Sequence, residues 1–191
     1  MRLKTRLILI ATLAMAPQLT LAQRPAPSTP SANPAPSLAT NVTSTSFGDW
    51  VLRCENRPAL APRRSCELLQ SLQSELGQPV AQFALGRTLP SDPMRLLVLI
   101  PANITVATPM LLQLADRAAP IPIILRACGP RGCVADAELN AAQLARIRAQ
   151  DGQGAGGGRI EYRNAANAEV ALPFSTRGFG PALDALGREG F

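Results

Sequence analysis

Short runs of apolar or alternating residues, each bounded by turn-forming residues, dominate this chain from about residue 50 onward. Runs of this length, flanked by Gly, Pro, Asp or Asn, are typical of β-strands. The candidate strands are residues 50–54, 65–72, 80–87, 94–100, 110–114, 121–128, 133–137, 159–163 and 169–174. The series predicts a mainly β fold, a single antiparallel β-sandwich or barrel-like domain with one or two short helices.

Two of these runs support more specific predictions. Residues 96–100 are continuously apolar, which indicates a central strand that is covered on both faces. The last two runs flank residues 164–167, which offer a turn, and so predict a hairpin. Pro173 cannot donate to a strand ladder, and we therefore expect its strand at a sheet edge or where pairing has stopped.

One helix is clearly signalled after residue 139. Asn140 is a good N-cap, and Gln143 three residues later can complete a capping box. Leu139 and Leu144 have the spacing of a hydrophobic staple. These residues predict a helix that runs to about Ala149, and a shorter helix is expected after Gly180-Pro181 because Pro suits the first turn.

The N-terminus has the features of a secretory signal in residues 1–22. Arg2, Lys4 and Arg6 precede an apolar run, and small residues precede the expected cleavage point after Ala22. The run is shorter than the roughly 20 residues that span a bilayer, which disfavours the alternative of an uncleaved anchor. We predict an exported protein of the bacterial periplasm or cell surface that is not integral to the membrane after cleavage.

Residues 23–46 are rich in Pro, Ala, Ser and Thr. Such a composition buries too little apolar surface to offset the entropy of ordering, so this segment is predicted to be a disordered linker. Residues 47–191 remain, enough for one domain with a sizeable core and too few for two ordinary ones. The predicted organisation is a signal peptide over 1–22, a linker over 23–46 and a β-rich domain over 47–191.

The four cysteines form two closely spaced pairs, Cys54 with Cys66 and Cys128 with Cys133. An even set of this kind in an exported chain is typical of disulfides, because oxidising compartments let them persist. Four cysteines allow three connectivities, of which we predict the local one. The alternatives are a four-cysteine zinc site, whose paired ligands usually have two to four residues between them, and a redox pair, which has two.

The composition excludes much enzyme chemistry. The chain has 19 Lys+Arg against 13 Asp+Glu, and because three of the basic residues lie in the signal, the formal charge falls from +6 to +3 after cleavage. It has no histidine, and its one lysine is Lys4 in the signal. Nucleophilic triads and His-ligated metal sites therefore cannot be built from the mature chain alone. We predict no cofactor, no metal and no catalytic residue, and the small charge and scarce aromatics also argue against nucleic acid.

The loop between the first two cysteines carries Arg57, Arg63 and Arg64. Guanidinium groups bind carboxylates, phosphates and anionic sugars in a bidentate manner, so these arginines are the candidate contacts with an anionic partner. The simpler interpretation is a solvated hairpin loop. Asp136 and Glu138 are two residues apart and would share one face of a strand, which could suit acid/base chemistry or a calcium site. The simpler interpretation is that Glu138 lies just before a helix, where negative charge interacts favourably with the helix dipole.

Several short motifs follow one another between residues 47 and 186. They are Phe47-Gly-Asp-Trp50, Gly77-Gln-Pro-Val80, Arg126-Ala-Cys128, Ala137-Glu-Leu139, Gly178-Phe179 and Ala182-Leu-Asp-Ala-Leu186, together with the four cysteines. The arrangement resembles the invasion-associated locus B family of exported bacterial proteins. Membership implies a small β-rich periplasmic or surface domain, and in some pathogens a link to entry into host cells. The long proline-rich leader departs from the family pattern.

The function that these features favour is binding rather than catalysis. We predict a non-enzymatic exported domain that binds an envelope or host-surface partner, with anionic chemistry as one option for that partner. One alternative is a hydrolase that uses carboxylates alone, as glycosidases do, since this chemistry needs no histidine. The other is a purely structural or inhibitory periplasmic protein.

Overall fold

A computed structural model describes residues 41–57, 64–105 and 109–190. The predicted signal peptide, most of the predicted linker and Arg63 lie outside these residues. The strands are β1 Asn41–Phe47, β2 Trp50–Asn56, β3 Arg64–Gln73, β4 Pro79–Gly86, β5 Met94–Ile100, β6 Met110–Leu114, β7 Ile121–Gly129, β8 Gly132–Leu139, β9 Gly158–Arg163 and β10 Glu169–Phe174. The helices are α1 Ala141–Ala149 and α2 Phe179–Arg188, and a single 3₁₀ turn spans Gly154–Gly157.

Within the described residues, the ten strands form one antiparallel sheet in the order β1-β2-β3-β4-β5-β8-β7-β6-β9-β10. Alternate side chains of each strand from β2 to β10 point to a common inner face, where the apolar core lies. The sheet curls so that its two ends approach each other. The Trp50 ring on β2 lies 5.6 Å from that of Phe174 on β10, and Phe83 on β4 lies 5.5 Å from Phe174.

These elements confirm the mainly β fold class and the position of every strand that the sequence predicts. The hairpin of β9 and β10 is present, and β10 with Pro173 lies at an edge of the sheet. Helix α1 begins with the predicted capping box, in which Asn140 accepts from the Gln143 N–H and the Gln143 side chain accepts from the Asn140 N–H. Helix α2 follows Gly178 and packs on the inner side of β1, β2 and β3.

The predicted linker over residues 23–46 extends too far along the chain. Residues 41–46 belong to β1, which pairs with β2 along its whole length. Their side chains are all exposed, so the strand is held by its backbone ladder rather than by burial of apolar groups. The composition of the segment could not reveal that ladder, because it depends on the neighbouring strand.

The prediction that residues 96–100 are covered on both faces is wrong. Strand β5 is central, but Leu97 and Leu99 remain 41% and 36% exposed, respectively. Helix α2 packs against the inner face, and the core lies there, so the apolar side chains on the opposite, outer face have no such cover among the described residues. A continuous apolar run in the sequence shows that a strand is hydrophobic, but it does not show that other elements cover both of its faces.

Two turns interlock where the ends of the curled sheet meet. Asp49, in the turn between β1 and β2, donates its N–H to the Arg177 carbonyl at 3.0 Å, and its carboxylate accepts from the Arg177 guanidinium. The Trp50 indole and the Gln70 amide both donate to the Ser175 carbonyl at 2.9 Å. We call this contact between residues 47–50 and residues 175–178 the clasp. It satisfies the buried polar groups at the closure, as a packed interior requires.

Candidate functional site

Both predicted disulfides are present and join strands that neighbour each other. Cys54 on β2 is bonded to Cys66 on β3, and Cys128 on β7 is bonded to Cys133 on β8. The described residues contain no free cysteine. Glu189 lies near the first pair, but both sulfurs there are engaged in the disulfide and offer no thiolate to a metal. The cysteines are therefore scaffold, and the zinc alternative lacks its ligands.

The strands separate the predicted arginines instead of grouping them. Arg64 lies on β3 with the inner-face residues, and its guanidinium binds Glu189 at 2.7 Å beyond the end of α2. Arg57 follows β2 and binds Glu55 at 3.1 Å. Arg63 lies outside the described residues. Arg57 and Arg64 thus each have a carboxylate partner, and they do not form one cluster of open guanidinium groups.

A network of charged side chains crosses the outer face of the sheet. Asp136 on β8 accepts from Arg95 on β5 at 2.5 Å and from Arg126 on β7 at 2.6 Å. Arg95 also binds Glu138 at 2.5 Å, so the two carboxylates that share a strand face meet at one guanidinium. Burial raises the pKa of Asp136, but the hydrogen bonds and charges of Arg95 and Arg126 outweigh it and lower the pKa overall.

The same pattern holds for the other aspartates with shifted pKa values. The pKa of Asp49 is lowered by Arg177, that of Asp116 by Arg146 and that of Asp184 by Arg148, in each case chiefly through a side-chain hydrogen bond. A glycosidase needs one carboxyl with a raised pKa to act as general acid beside an ionised partner. These four groups are held ionised and ion-paired, which is the charge state of a structural salt bridge.

A groove of about 530 Å³ lies beside this network on the outer face. We call it the arginine groove, and its charged lining residues are Arg57, Glu67, Arg87, Asp92, Arg95 and Glu138. Within the described part of the chain, the Nε of Arg87 is buried and has no hydrogen-bond partner. Most buried polar atoms in folded proteins are satisfied, so the Nε of Arg87 is an exception within the described residues.

Four apolar side chains lie exposed on the outer face next to the arginine groove. Leu97 and Leu99 stand on β5, Val134 on β8 and Ile124 on β7, and we call them the apolar patch. Leu99 pairs with Val134 and lies two residues from Leu97, whereas Ile124 stands on the far side of Asp136 from Leu97. Ile124 is 55% exposed. Grouped exposed apolar residues on a rigid sheet are typical of an interaction surface.

The fold and the disulfide framework can now be compared with known proteins. The sequence model of the Invasion associated locus B (IalB) protein family matches residues 50–187 of the chain. The match spans strands β2 to β10, both disulfides and nearly all of α2. The chain belongs to the IalB family. A search of curated protein sequences finds no match to it.

The fold of this IalB-family protein is also that of a solved structure, invasion associated protein B from Bartonella henselae. The TM-score is 0.62 at 19% identity, and the alignment covers 77% of this chain and 97% of the Bartonella chain. In the described part of the chain, no helix is long and apolar enough to cross a membrane. IalB proteins are exported, and the two disulfides agree with an oxidising compartment.

Reasoning from the sequence did not find the apolar patch or Arg87. The signal for the patch was the continuous apolar run of β5, but such a run does not distinguish a covered strand from one with an exposed face. Arg87 follows β4 and is one of many arginines in the IalB chain. Whether its Nε finds a hydrogen-bond partner depends on which groups the fold brings near it, and no local pattern encodes that.

Proposed function

We propose that this IalB-family protein is an exported, non-enzymatic domain that binds a partner of the bacterial envelope or host-cell surface through the outer face of its sheet. Cleavage after Ala22 would release it to the periplasm or the cell surface. The apolar patch supplies the desolvated centre of the contact. Arg57 and Arg87 in the arginine groove supply its cationic part, which suits a partner that carries carboxylate or phosphate groups.

The observation that carries the proposal is the exposure of four large apolar side chains on one face of a rigid sheet. Exposed leucines scattered singly are ordinary, but here Leu97, Leu99 and Val134 are neighbours on β5 and β8, and Ile124 on β7 lies just beyond Asp136 on the same face. Protein interfaces usually have an apolar centre with a polar rim. The arginine groove provides such a rim beside Leu97, and the Asp136 network lies within the patch between Leu97 and Ile124.

The chemistry of the site supports binding over catalysis. Four of the aspartates that a carboxylate-only hydrolase could use are held ionised by arginines. The mature chain lacks histidine and lysine, which removes the common nucleophilic systems. A surface built from ion pairs and exposed leucines is suited to recognition.

Photo-cross-linking in intact cells of the bacterium that produces the protein tests the proposal. A photoreactive residue replaces Leu97 in one variant and Gly187 in a control, because Gly187 lies on α2, away from the outer face, with open space beside it. We expect a specific adduct in the envelope fraction from position 97 only, formed by protein that begins at Gln23. Replacing Arg87 with Gln in the Leu97 variant should reduce the adduct several-fold. Equal labelling from both positions, or none from position 97, would contradict the proposal.

A further inference from the structure

Strand β1 leaves one edge of the sheet open among the described residues. It stands at the end of the strand order and bonds only to β2. The side chains of residues 41–46 are all exposed, and of this strand only Phe47, at its end beside the clasp, packs against the core. Such an edge presents a row of backbone N–H and C=O groups to any extended strand that approaches it.

The register identifies which groups face outward. Cys54 and Cys66 lie with their Cα atoms 4.1 Å apart, which is the spacing of a non-hydrogen-bonded pair between β2 and β3. The backbone groups of Cys54 therefore point toward β1, where Thr43 is its partner. Because the direction alternates along a strand, Val42, Ser44 and Ser46 direct their N–H and C=O groups to the open edge.

The open edge of β1 lacks the features that usually protect an edge strand. The segment Asn41–Phe47 contains no charged residue and no proline. The opposite edge of the sheet is different, because β10 contains Pro173. In the hairpin, the Asn164 N–H donates to the Ala168 carbonyl, so these two residues form a hydrogen-bonded pair. Hydrogen-bonded and non-hydrogen-bonded pairs alternate along the ladder, which makes Pro173 and Arg159 a non-hydrogen-bonded pair, and the Pro173 nitrogen therefore points away from β9. Among the described residues, one edge of the sheet is thus protected by a proline and the other edge has no strand paired to it.

We propose that two copies of this chain pair antiparallel through β1, about a two-fold axis at Ser44. Ser44 is the middle residue of the seven-residue strand, so the two strands overlap along their whole length only if the axis passes through Ser44. This arrangement places Thr43 opposite Thr45 of the second copy. About six backbone hydrogen bonds would form, two at each of three facing pairs. An uncharged strand can pair with itself without opposing like charges, which favours a second copy over a charged segment of another protein.

The blocked edge at β10 limits the assembly to two chains. A protein with open edges at both ends of its sheet would add copies without limit, whereas a single isologous contact closes after the first. The expected product is therefore a discrete dimer with one continuous sheet. This contact uses an edge of the sheet, so its test is independent of the partner face proposed above.

Sedimentation equilibrium on the mature, oxidised protein tests this assembly. From micromolar to millimolar concentration, we expect the mass to rise from one chain to two and to stop there. The Ser44→Pro variant removes an outward N–H that makes no bond to β2, and it should raise the dimer dissociation constant at least about tenfold. The Ser44→Ala variant keeps that N–H and should dimerise normally.

A charge-swap experiment keeps the test decisive if the proline variant does not fold. Ser44 faces itself across the proposed axis, so Ser44→Lys and Ser44→Glu should each weaken the dimer, and mixing the two variants should restore it. A mass of one chain at every concentration would overturn the inference. So would continuous polymers, a dimer that Ser44→Pro leaves unchanged, or a chain that stays monomeric while binding a foreign extended peptide.

Discussion

Individual residues determine whether the clasp can close, and the glycines show this most directly. Gly178 has a φ of +83°, and a Cβ there would lie 2.1 Å from the Phe47 carbonyl oxygen. Gly48 in the facing turn has a φ of +58°, and a Cβ there would lie 2.6 Å from the Arg177 carbonyl oxygen. Both positions combine a left-handed backbone with a close approach of two main chains, which only glycine accommodates without strain.

Replacing Gly178 with alanine should therefore destabilise the protein by at least about 2 kcal/mol, because positive φ and backbone overlap both oppose a Cβ. The matched control is Gly187→Ala in α2, where an added Cβ meets nothing within 4 Å. Alanine is the better helix former, so the control should gain up to about 1 kcal/mol. Urea unfolding followed by circular dichroism measures both changes. Similar values for the two variants would show that the clasp does not constrain the fold.

At the scale of elements, three neighbouring strands share one charge network on the outer face. Residues two apart on a strand face the same side, which brings Asp136 and Glu138 on β8 to the same guanidinium of Arg95 on β5. Arg126 extends the network to β7. The side chain of Asp136 is only 6% exposed. Its charge is therefore compensated by its arginines rather than by water.

The stability of the protein should depend on pH through Asp136. Its pKa is lowered in the folded state, so its stabilisation is complete above the unfolded value of about 3.9 and is lost as the pH falls through the folded pKa. At pH 7, Asp136→Asn should lower the free energy of unfolding by about 1–2 kcal/mol, because its arginine partners are partly exposed. That difference should shrink below about pH 4. Urea titrations across pH measure it.

The control for this titration is Glu138→Gln, because the Glu138 side chain is 58% exposed. Its effect at pH 7 should stay within about 0.5 kcal/mol. If the difference between wild type and Asp136→Asn were unchanged from pH 7 to pH 3, ionisation of Asp136 would not be the source of the stabilisation.

At the scale of the whole molecule, the curled sheet is held by the clasp, the core and the two disulfides. The Asp49–Arg177 contact joins residues 128 apart in the chain, whereas each disulfide joins residues that are close in sequence. The disulfides thus fix strand pairs, and the clasp fixes the closure of the sheet. The outer face, on which Leu97, Leu99, Ile124 and Val134 are exposed, is the face of the proposed partner contact.

Replacing Cys54 and Cys66 together with serine should destabilise the protein by roughly 2–4 kcal/mol, since it frees the unfolded loop and leaves two hydroxyls in the core. The matched control replaces the Cys128/Cys133 pair. This pair closes a shorter loop, with a sequence separation of 5 compared with 12 for Cys54 and Cys66, and Cys128 is exposed. Its loss should cost about 2 kcal/mol. Urea unfolding without reductant measures both. Four free thiols in protein taken from the oxidising compartment would contradict the structural role.

The sequence by itself determined the local features of this protein. Alternation and turn residues predicted β2 to β10, the Asn140 capping box predicted the start of α1, and cysteine spacing predicted both disulfides. These signals act between residues that are near in sequence or adjacent in one hairpin. They needed no knowledge of the packed molecule.

Tertiary structure alone decided which surfaces are covered and which charges meet. Leu97 and Leu99 are exposed because the core lies on the opposite face of the sheet, and no pattern within β5 encodes that choice. Strand β1 exists because β2 offers it a backbone ladder. Arg64 pairs with Glu189 because strand alternation and the end of α2 bring the two side chains together. Burial and ion pairing depend on elements that are distant in sequence, and for that reason only the folded chain reveals them.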